Sequence, residues 1–418
     1  MATIAVLGTL DTKGEEHAFV AGLIRENGDT PLLMDVGILE APKVKPDISR
    51  EEILRFAKID LTEILKRKDR GEAVLAMTKA APGFVAQLVE QKKIDGIISL
   101  GGSGGTAIGT AVMRALPMGF PKVMVSTVAA AGNTSQYIGV KDIVMIPSIV
   151  DVSGLNRISR QIFTRAAGAI CGMVRFGVPS LDGSGDRLKA ELQLDKPIIV
   201  ASMFGNTTAC VEHARKLLEA HGYEVLVFHA TGTGGKTMES LIESGMVTGV
   251  LDITTTEWAD ELVGGMLGAG PTRLEAAARK GVPAIVAPGC LDMVNFSSPE
   301  SIPAKFAGRN FYLHNPQVTL MRTTPEECAQ LGKILAEKVN LSLAPVTVLI
   351  PKRAISVISA PGQKFYDAAA DEALFSAIKT NLRSDIERIE MDCAINETVF
   401  AEACVKALLE NINFSKKK

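Results

Sequence analysis

ISLGGSGGTAIGTAVM, residues 98–113, is the stretch on which the fold reading turns. An apolar, β-branched run ends at Leu100, a short glycine and serine segment follows, and a helical pattern opens near Thr106. That order is a strand delivering the chain through a tight turn into a helix, the repeating unit of a parallel α/β sheet. Glycine admits positive φ and lets a ligand come close to the main chain. A helix start adds unpaired N–H groups and the positive end of the helix dipole, which together favour phosphate or carboxylate. Gly101, Gly102, Ser103, Gly104, Gly105 and Thr106 are therefore candidate anion-binding residues, Thr106 as a helix cap or a donor. A close-packed turn without a ligand is the competing reading of the same glycines.

Outward from this stretch the same rhythm repeats. Strands are expected at Thr3–Leu7, Leu32–Val36, Ile94–Leu100, Lys122–Thr127 and Asp142–Pro147. Helices are expected at about Glu15–Asn27, Arg50–Lys68, Gly71–Gln91 and Asn156–Arg175, the third breaking at Pro82 and Gly83. A Gly-, Ser- and Asp-rich stretch bounded by prolines, Val178–Lys196, reads as a linker. The pattern then restarts with strands at Ile198–Met203, Glu224–Phe228 and Gly249–Thr254, and continues to a last helix at Glu397–Asn411. The expected fold is α/β, with two Rossmann-like domains over residues 1–177 and 197–418, each a mainly parallel sheet flanked by helices.

Composition narrows the partners. The 418 residues carry a net charge of −2, so no basic stripe awaits nucleic acid. The six cysteines form no CxxC pair, which speaks against a disulfide framework or a structural zinc site. Asp11 cuts the first apolar run short of a signal peptide, and no uncharged apolar run approaches the ~18 residues of a membrane helix. A cytoplasmic protein with neither membrane nor nucleic-acid partners is expected.

Three further segments carry candidate chemistry. GTLDTKGEE follows the first strand, and open parallel sheets bind ligands at the carboxyl ends of their strands. Lys13 would neutralise a phosphate, while Asp11 would hold the water shell of a metal or a ribose hydroxyl. The plainer alternative has Asp11 or Thr12 capping a helix and Lys13 in water. Asn133, in STVAAAGNTSQYIG, is a candidate phosphate or base contact, with an ordinary loop as the equal alternative. In the second half, HATGTGGKT fits a relaxed P-loop pattern with Lys236 and Thr237 in the lysine and hydroxyl places, and Asp252 as its second acid. It follows a second strand where P-loop domains use the first, so a second anion-binding glycine turn charged by Lys236 is the preferred reading. His229, Cys290, Asp292, His314, Arg322 and Asp367 remain as scattered polar candidates with no triad or metal-ligand spacing.

GTLDTKGEE, LGGSGGT, STVAAAGN, HATGTGGK, PGCLDMVNF and HNPQVTLMRTTPEE occur in this order across nearly the whole chain. The ordered set resembles the ATP-binding family typified by the tomato mosaic virus resistance protein. The resemblance implies two Rossmann-like domains, a site for ATP and Mg²⁺ associated with the N-terminal domain, and commonly a homodimer. Its plant member acts by binding a viral replication protein and blocking it. Carried over by position, Thr9, Asp11, Thr12, Lys13 and Gly101–Thr106 match the N-terminal motifs, and Gly232, Gly234, Gly235 and Lys236 the second glycine motif. The chain departs at Ala354, where the family has glycine before an x-Ser step, and this leaves the role of Ser356 open. The TIM-barrel domain fused to some longer relatives is not expected here.

The function expected is ATP or other nucleotide binding on the glycine turns, with an enzyme acting on a small metabolite in an interdomain cleft as one form of it. The alternatives are a non-catalytic partner-binding protein stabilised by ATP, and a hydrolase or lyase holding a carboxylate.

Overall fold

The computed structural model describes residues 1–37, 40–60, 62, 64, 66, 69–129, 134–175 and 196–416. Asn133 and all of the expected linker but Lys196 lie outside these residues. The chain divides into two compact units, residues 1–191 and 192–418.

In the first unit, β1 (Thr3–Gly8), β2 (Thr30–Asp35), β3 (Gly96–Gly101), β4 (Lys122–Ser126) and β5 (Val144–Pro147) form one sheet in the order β2-β1-β3-β4-β5. All four pairings are parallel. The helices are α1 (Leu10–Glu26), α2 (Arg50–Phe56), α3 (Arg70–Glu90), α4 (Ser103–Ala115), the single turn α5 (Ser135–Ile138) and α6 (Arg157–Arg175). Side chains alternate across each strand, so the sheet is apolar on both faces. Ala5, Leu7, Ile97 and Met124 pack with α2, α3 and α4 on one side. Ile4, Val6, Ile98 and Val123 meet Val20, Ile24, Phe163 and Ile170 of α1 and α6 on the other.

Three helix expectations need correction, the first being Arg50–Lys68, since α2 ends at Phe56 with Ala57 as its C-cap. Helix α1 starts at Leu10, five residues earlier than the pattern suggested, because the buried Asp35 carboxylate accepts the Leu10 N–H at 3.1 Å and so satisfies a first-turn amide from a neighbouring strand. Helix α3 runs through Pro82 as one element. Its residues Met77, Ala80, Ala81 and Val85 are buried in the core, and that packing holds the helix where local propensity disfavours it.

The second unit winds the same way. Strands β6 (Ile198–Met203), β7 (Glu224–His229), β8 (Val247–Thr254), β9 (Ala284–Gly289), β13 (Val346–Pro351) and β14 (Glu387–Met391) lie in the order β14-β13-β9-β8-β6-β7. Read from the other edge this is second, first, third, fourth, fifth, sixth, and every pairing is parallel. Its helices are α7 (Thr208–Ala220), α8 (Thr233–Glu243), α9 (Glu257–Val263), α10 (Ala276–Lys280), α11 (Pro325–Val339), α12 (Ala368–Asn381) and α13 (Thr398–Ser415). Between β9 and β13 the chain adds a small antiparallel sheet, β10 (Met293–Phe296), β12 (Val318–Arg322) and β11 (Phe311–Asn315), which the sequence pattern showed only as the β12 strand. No helix among the described residues is long and apolar enough to cross a membrane.

Candidate functional site

The order β2-β1-β3-β4-β5 reverses direction between β1 and β3, the switch point where the loops leaving two adjacent strands diverge and open a crevice. A cleft of about 460 Å³ lies there. Thr9, Asp11, Thr12 and Lys13 line it from the β1 side, Gly101–Gly105 from the β3 side, with Thr127 and Asp151 beyond them. Val36, Gly37, Ala73, Val74 and Ile108 supply an apolar wall.

Helix α4 begins at Ser103, and its N-cap, Gly102, has no side chain to cap it. The amides of Ser103, Gly104 and Gly105 are the first three of the helix and have no intrahelical acceptor, whereas Thr106 N–H returns to Gly102 O at 2.8 Å. None of Gly101–Gly105 has positive φ, so the conformational argument for these glycines falls away. Close approach is what remains. A Cβ on Gly101 would stand 2.7 Å from Gly105 Cα, and one on Gly109 would stand 2.8 Å from Ser99 Oγ. Thr106 is also reassigned. It is fully buried, with Oγ1 2.7 Å from Ser126 Oγ, so it ties α4 to β4 and neither caps the helix nor reaches the cleft.

On the facing side, Thr9 is the N-cap of α1 and its Oγ1 lies 3.0 Å from Thr12 Oγ1. Lys13 breaks the helical conformation at φ −125°, is half-buried, and forms no ion pair among the described residues. Lys13 thus lines the cleft as a charge without a counter-ion among the described residues. Asp11 is 3% exposed and faces Gly37 and Glu40: its Oδ2 accepts Glu40 N–H at 3.4 Å, and a Cβ on Gly37 would stand 2.3 Å from its Oδ1. It borders the cleft and also packs against Gly37 and holds the Glu40 amide. Among the described residues no group of three or more His, Cys, Asp or Glu side chains could hold a metal ion, so a cation here would depend on ligand oxygens and water.

Beneath Asp11 lies Asp35, which the sequence reading missed. Burial pushes its carboxyl up to about 6, against the lowering effect of hydrogen bonds from Gly37 N and Leu10 N and of the Arg50 charge. His17, also missed, is fully buried and held neutral by desolvation; its Nδ1 lies 2.7 Å from Lys13 O. It explains Gly8, where a Cβ would stand 2.1 Å from His17 Nε2. Asp151 follows the last strand of the sheet, and the strand-end rule that picked out Asp11 would have found it. No comparable signal marks Val36, Ala73, Val74 or Ile108 in the sequence.

The second glycine turn is different. The Gly232 and Gly235 amides both donate to Glu257 Oε1, at 2.7 and 3.0 Å, so an internal carboxylate sits where an external anion was expected. A Cβ on Gly234 would stand 1.8 Å from His229 O, and one on Gly235 would stand 2.1 Å from Glu257 Oε2. Arg273, 1% exposed, donates Nε to Glu257 Oε2 at 2.7 Å and two further bonds to Asp252 at 2.6 and 2.7 Å. Asp252 is therefore an arginine partner and not a second acid of a P-loop, and Lys236 is exposed on the first turn of α8. The reading of Gly234, Gly235 and Lys236 as an anion site is corrected on this ground: the turn's anion is already part of the fold.

Most of the remaining candidates are structural by their contacts. Ser356 Oγ donates to Asp292 Oδ2 at 2.8 Å, both buried. Arg322 is held by Asp371 at 2.6 Å and Phe365 O at 2.8 Å. Cys290 is fully buried, away from solvent, and that burial pushes its thiol up, as in structural cysteines. All six cysteines are unpaired and buried. Asp367 caps α12 through Ala370 N–H. His229 and His314 are exposed.

Residues 2–178 match the N-terminal domain, and residues 196–412 the C-terminal domain, of an uncharacterised protein family, UPF0261. A UPF0261 protein of Clostridium tetani is 48% identical over 97% of this chain and 98% of its own. The ToMV susceptible protein tm-1(GCR26) of Solanum lycopersicum is 36% identical over 97% of this chain, which spans 55% of the tomato protein. Among solved structures, the UDP-N-acetylglucosamine 2-epimerase of Rickettsia bellii aligns with 99% of this chain and 98% of its own at 12% identity and a TM-score of 0.23, too distant to carry an argument.

Proposed function

We propose that this chain, which belongs to the uncharacterised protein family UPF0261, binds ATP in the switch-point cleft of its first unit. The observation that carries the reading is the convergence of the Lys13 ammonium and the Ser103, Gly104 and Gly105 amides on one cleft of about 460 Å³. Backbone amides at a helix start and a lysine with no ion pair among the described residues are complementary to phosphate oxygens. The apolar wall of Val36, Ala73, Val74 and Ile108 suits the flat face of a base, and the volume falls within the ~300–1,000 Å³ usual for small-ligand sites. Mg²⁺ would bind through phosphate oxygens and water with Asp11 as a carboxylate partner, in the manner of a cation that keeps much of its hydration. The reading retains a cytoplasmic homodimer.

The test is a thermal-shift series with ATP, ADP, NAD and sugar phosphates, each with and without Mg²⁺, with acetate and citrate as acid controls. ATP at a hundred times its Kd would stabilise the folded chain by about 2.7 kcal/mol. Stabilisation by ATP without turnover assigns a non-catalytic, partner-binding role. Stabilisation by the small acids alone contradicts nucleotide binding and supports a carboxylate-holding hydrolase or lyase.

A further inference from the structure

Beside the cleft lies a second depression, of about 340 Å³, lined by Ser126, Thr127, Pro147, Ser148, Ile149, Val150 and Asp151. The two share Thr127 and Asp151, so their occupants would be neighbours. Ile149 has a φ of 63° and is 75% exposed. A β-branched residue at positive φ is a true outlier, and no core packing here offsets it. The Val150 N–H closes on Ser148 O at 2.7 Å across Ile149, a three-residue γ-turn in its strained form. Ser148 enforces the turn, donating Oγ to Val150 O at 2.6 Å while its own N–H is tied to Ser126 O at 3.1 Å. Strain held in place this way is characteristic of ligand clamps.

The available polar groups define the ligand. Ser126 Oγ is engaged by Thr106 Oγ1 at 2.7 Å and Val128 N at 3.1 Å, and Ser148 Oγ by Val150 O. Thr127 Oγ1 and the exposed Asp151 carboxylate have no partner among the described residues. No cationic side chain lines the depression, and Pro147, Ile149 and Val150 give it apolar walls.

We infer that this depression is a second ligand site, for a small amine with an apolar body, whose ammonium pairs with Asp151 and Thr127 next to the phosphate-binding cleft. The inference goes beyond nucleotide binding and is tested apart from it. The full-length protein, ¹³C-labelled at isoleucine and valine methyls, reports the depression through Ile149 and Val150 and the cleft through Ile108, the isoleucine signals each assigned by an isoleucine-to-valine variant. The probes are propylamine, 1-propanol and propionate, which are similar in size and differ in charge. Propylamine is expected to move the Ile149 signal saturably, 1-propanol more weakly and propionate not at all. Asp151→Asn should weaken propylamine about tenfold or more, as loss of a charge-assisted hydrogen bond does. Ile149→Gly should weaken it too, followed by the Val150 methyls, without lowering the unfolding temperature, since glycine relieves the strained φ. The inference is overturned if propionate moves Ile149 as readily as propylamine, if no probe moves it, or if Asp151→Asn leaves the propylamine curve unchanged. ATP shifting Ile108 is read in a separate titration, so a failure of nucleotide binding and a failure of the amine site are distinct results.

Discussion

Gly235 and Glu257 are built around each other: the Gly235 amide donates to Glu257 Oε1 at 3.0 Å, and a Cβ at residue 235 would stand 2.1 Å from Oε2. The turn that looks most like a phosphate loop in this chain is thus a buried socket for its own carboxylate, neutralised by Arg273. Lys236→Ala should accordingly leave ATP affinity unchanged in isothermal titration. Glu257→Ala should destabilise the second unit by about 3–5 kcal/mol in urea unfolding, because it strands a buried arginine bond and two amides. An intact stability in Glu257→Ala would show that the socket is not needed for the fold.

Lys13→Met should weaken ATP roughly tenfold to a hundredfold and leave adenosine nearly untouched, because only the phosphates feel the lost charge. Parallel titrations of the two ligands decide it. Equal loss for both would place Lys13 against the nucleoside and not the phosphates.

Asp35 makes stability depend on pH in an identifiable window. Its carboxyl is raised from 3.8 to about 6 by burial, so the folded state holds the proton more tightly than the unfolded state. The stability this supplies is fully present below the unfolded value and is lost as pH rises through the folded one. The displacement corresponds to about 3 kcal/mol at ~1.4 kcal/mol per pH unit. Denaturant curves of the wild type and Asp35→Asn should therefore diverge between about pH 4 and pH 7, the wild type losing ground as pH rises. A difference that stays constant with pH would contradict the assignment.

The alternation that defines both sheets was legible because parallel strands are buried on two faces and stand out as β-branched runs between helices. Leu100 to Thr106 could be read for the same reason: a strand, a glycine turn and a helix follow one another locally. Asp35 reaching Leu10 could not, since the bond joins residues 25 apart in sequence and is made only when β1 and β2 pair. Glu257 filling the Gly232–Gly235 turn was hidden in the same way, and a local motif then suggested an external anion where the fold supplies one. The small sheet of β10, β11 and β12 was half visible. Phe311–Asn315 is largely exposed at its end and carries little of the apolar pattern that marks a core strand.

The central claim, that phosphates sit on the amides opening α4, is tested most directly by titrating ATP into the wild type and Gly104→Val. Residue 104 has helical backbone geometry, and a Cβ there would meet Val74 Cγ2 at 3.4 Å, an ordinary contact, so the variant should fold with only the modest cost of valine in a helix. Its branched side chain would project into the cleft beside the free amides. The account predicts saturable binding by the wild type and at least tenfold weaker binding by the variant, with little change in unfolding temperature. Equal affinity in two folded proteins would contradict it.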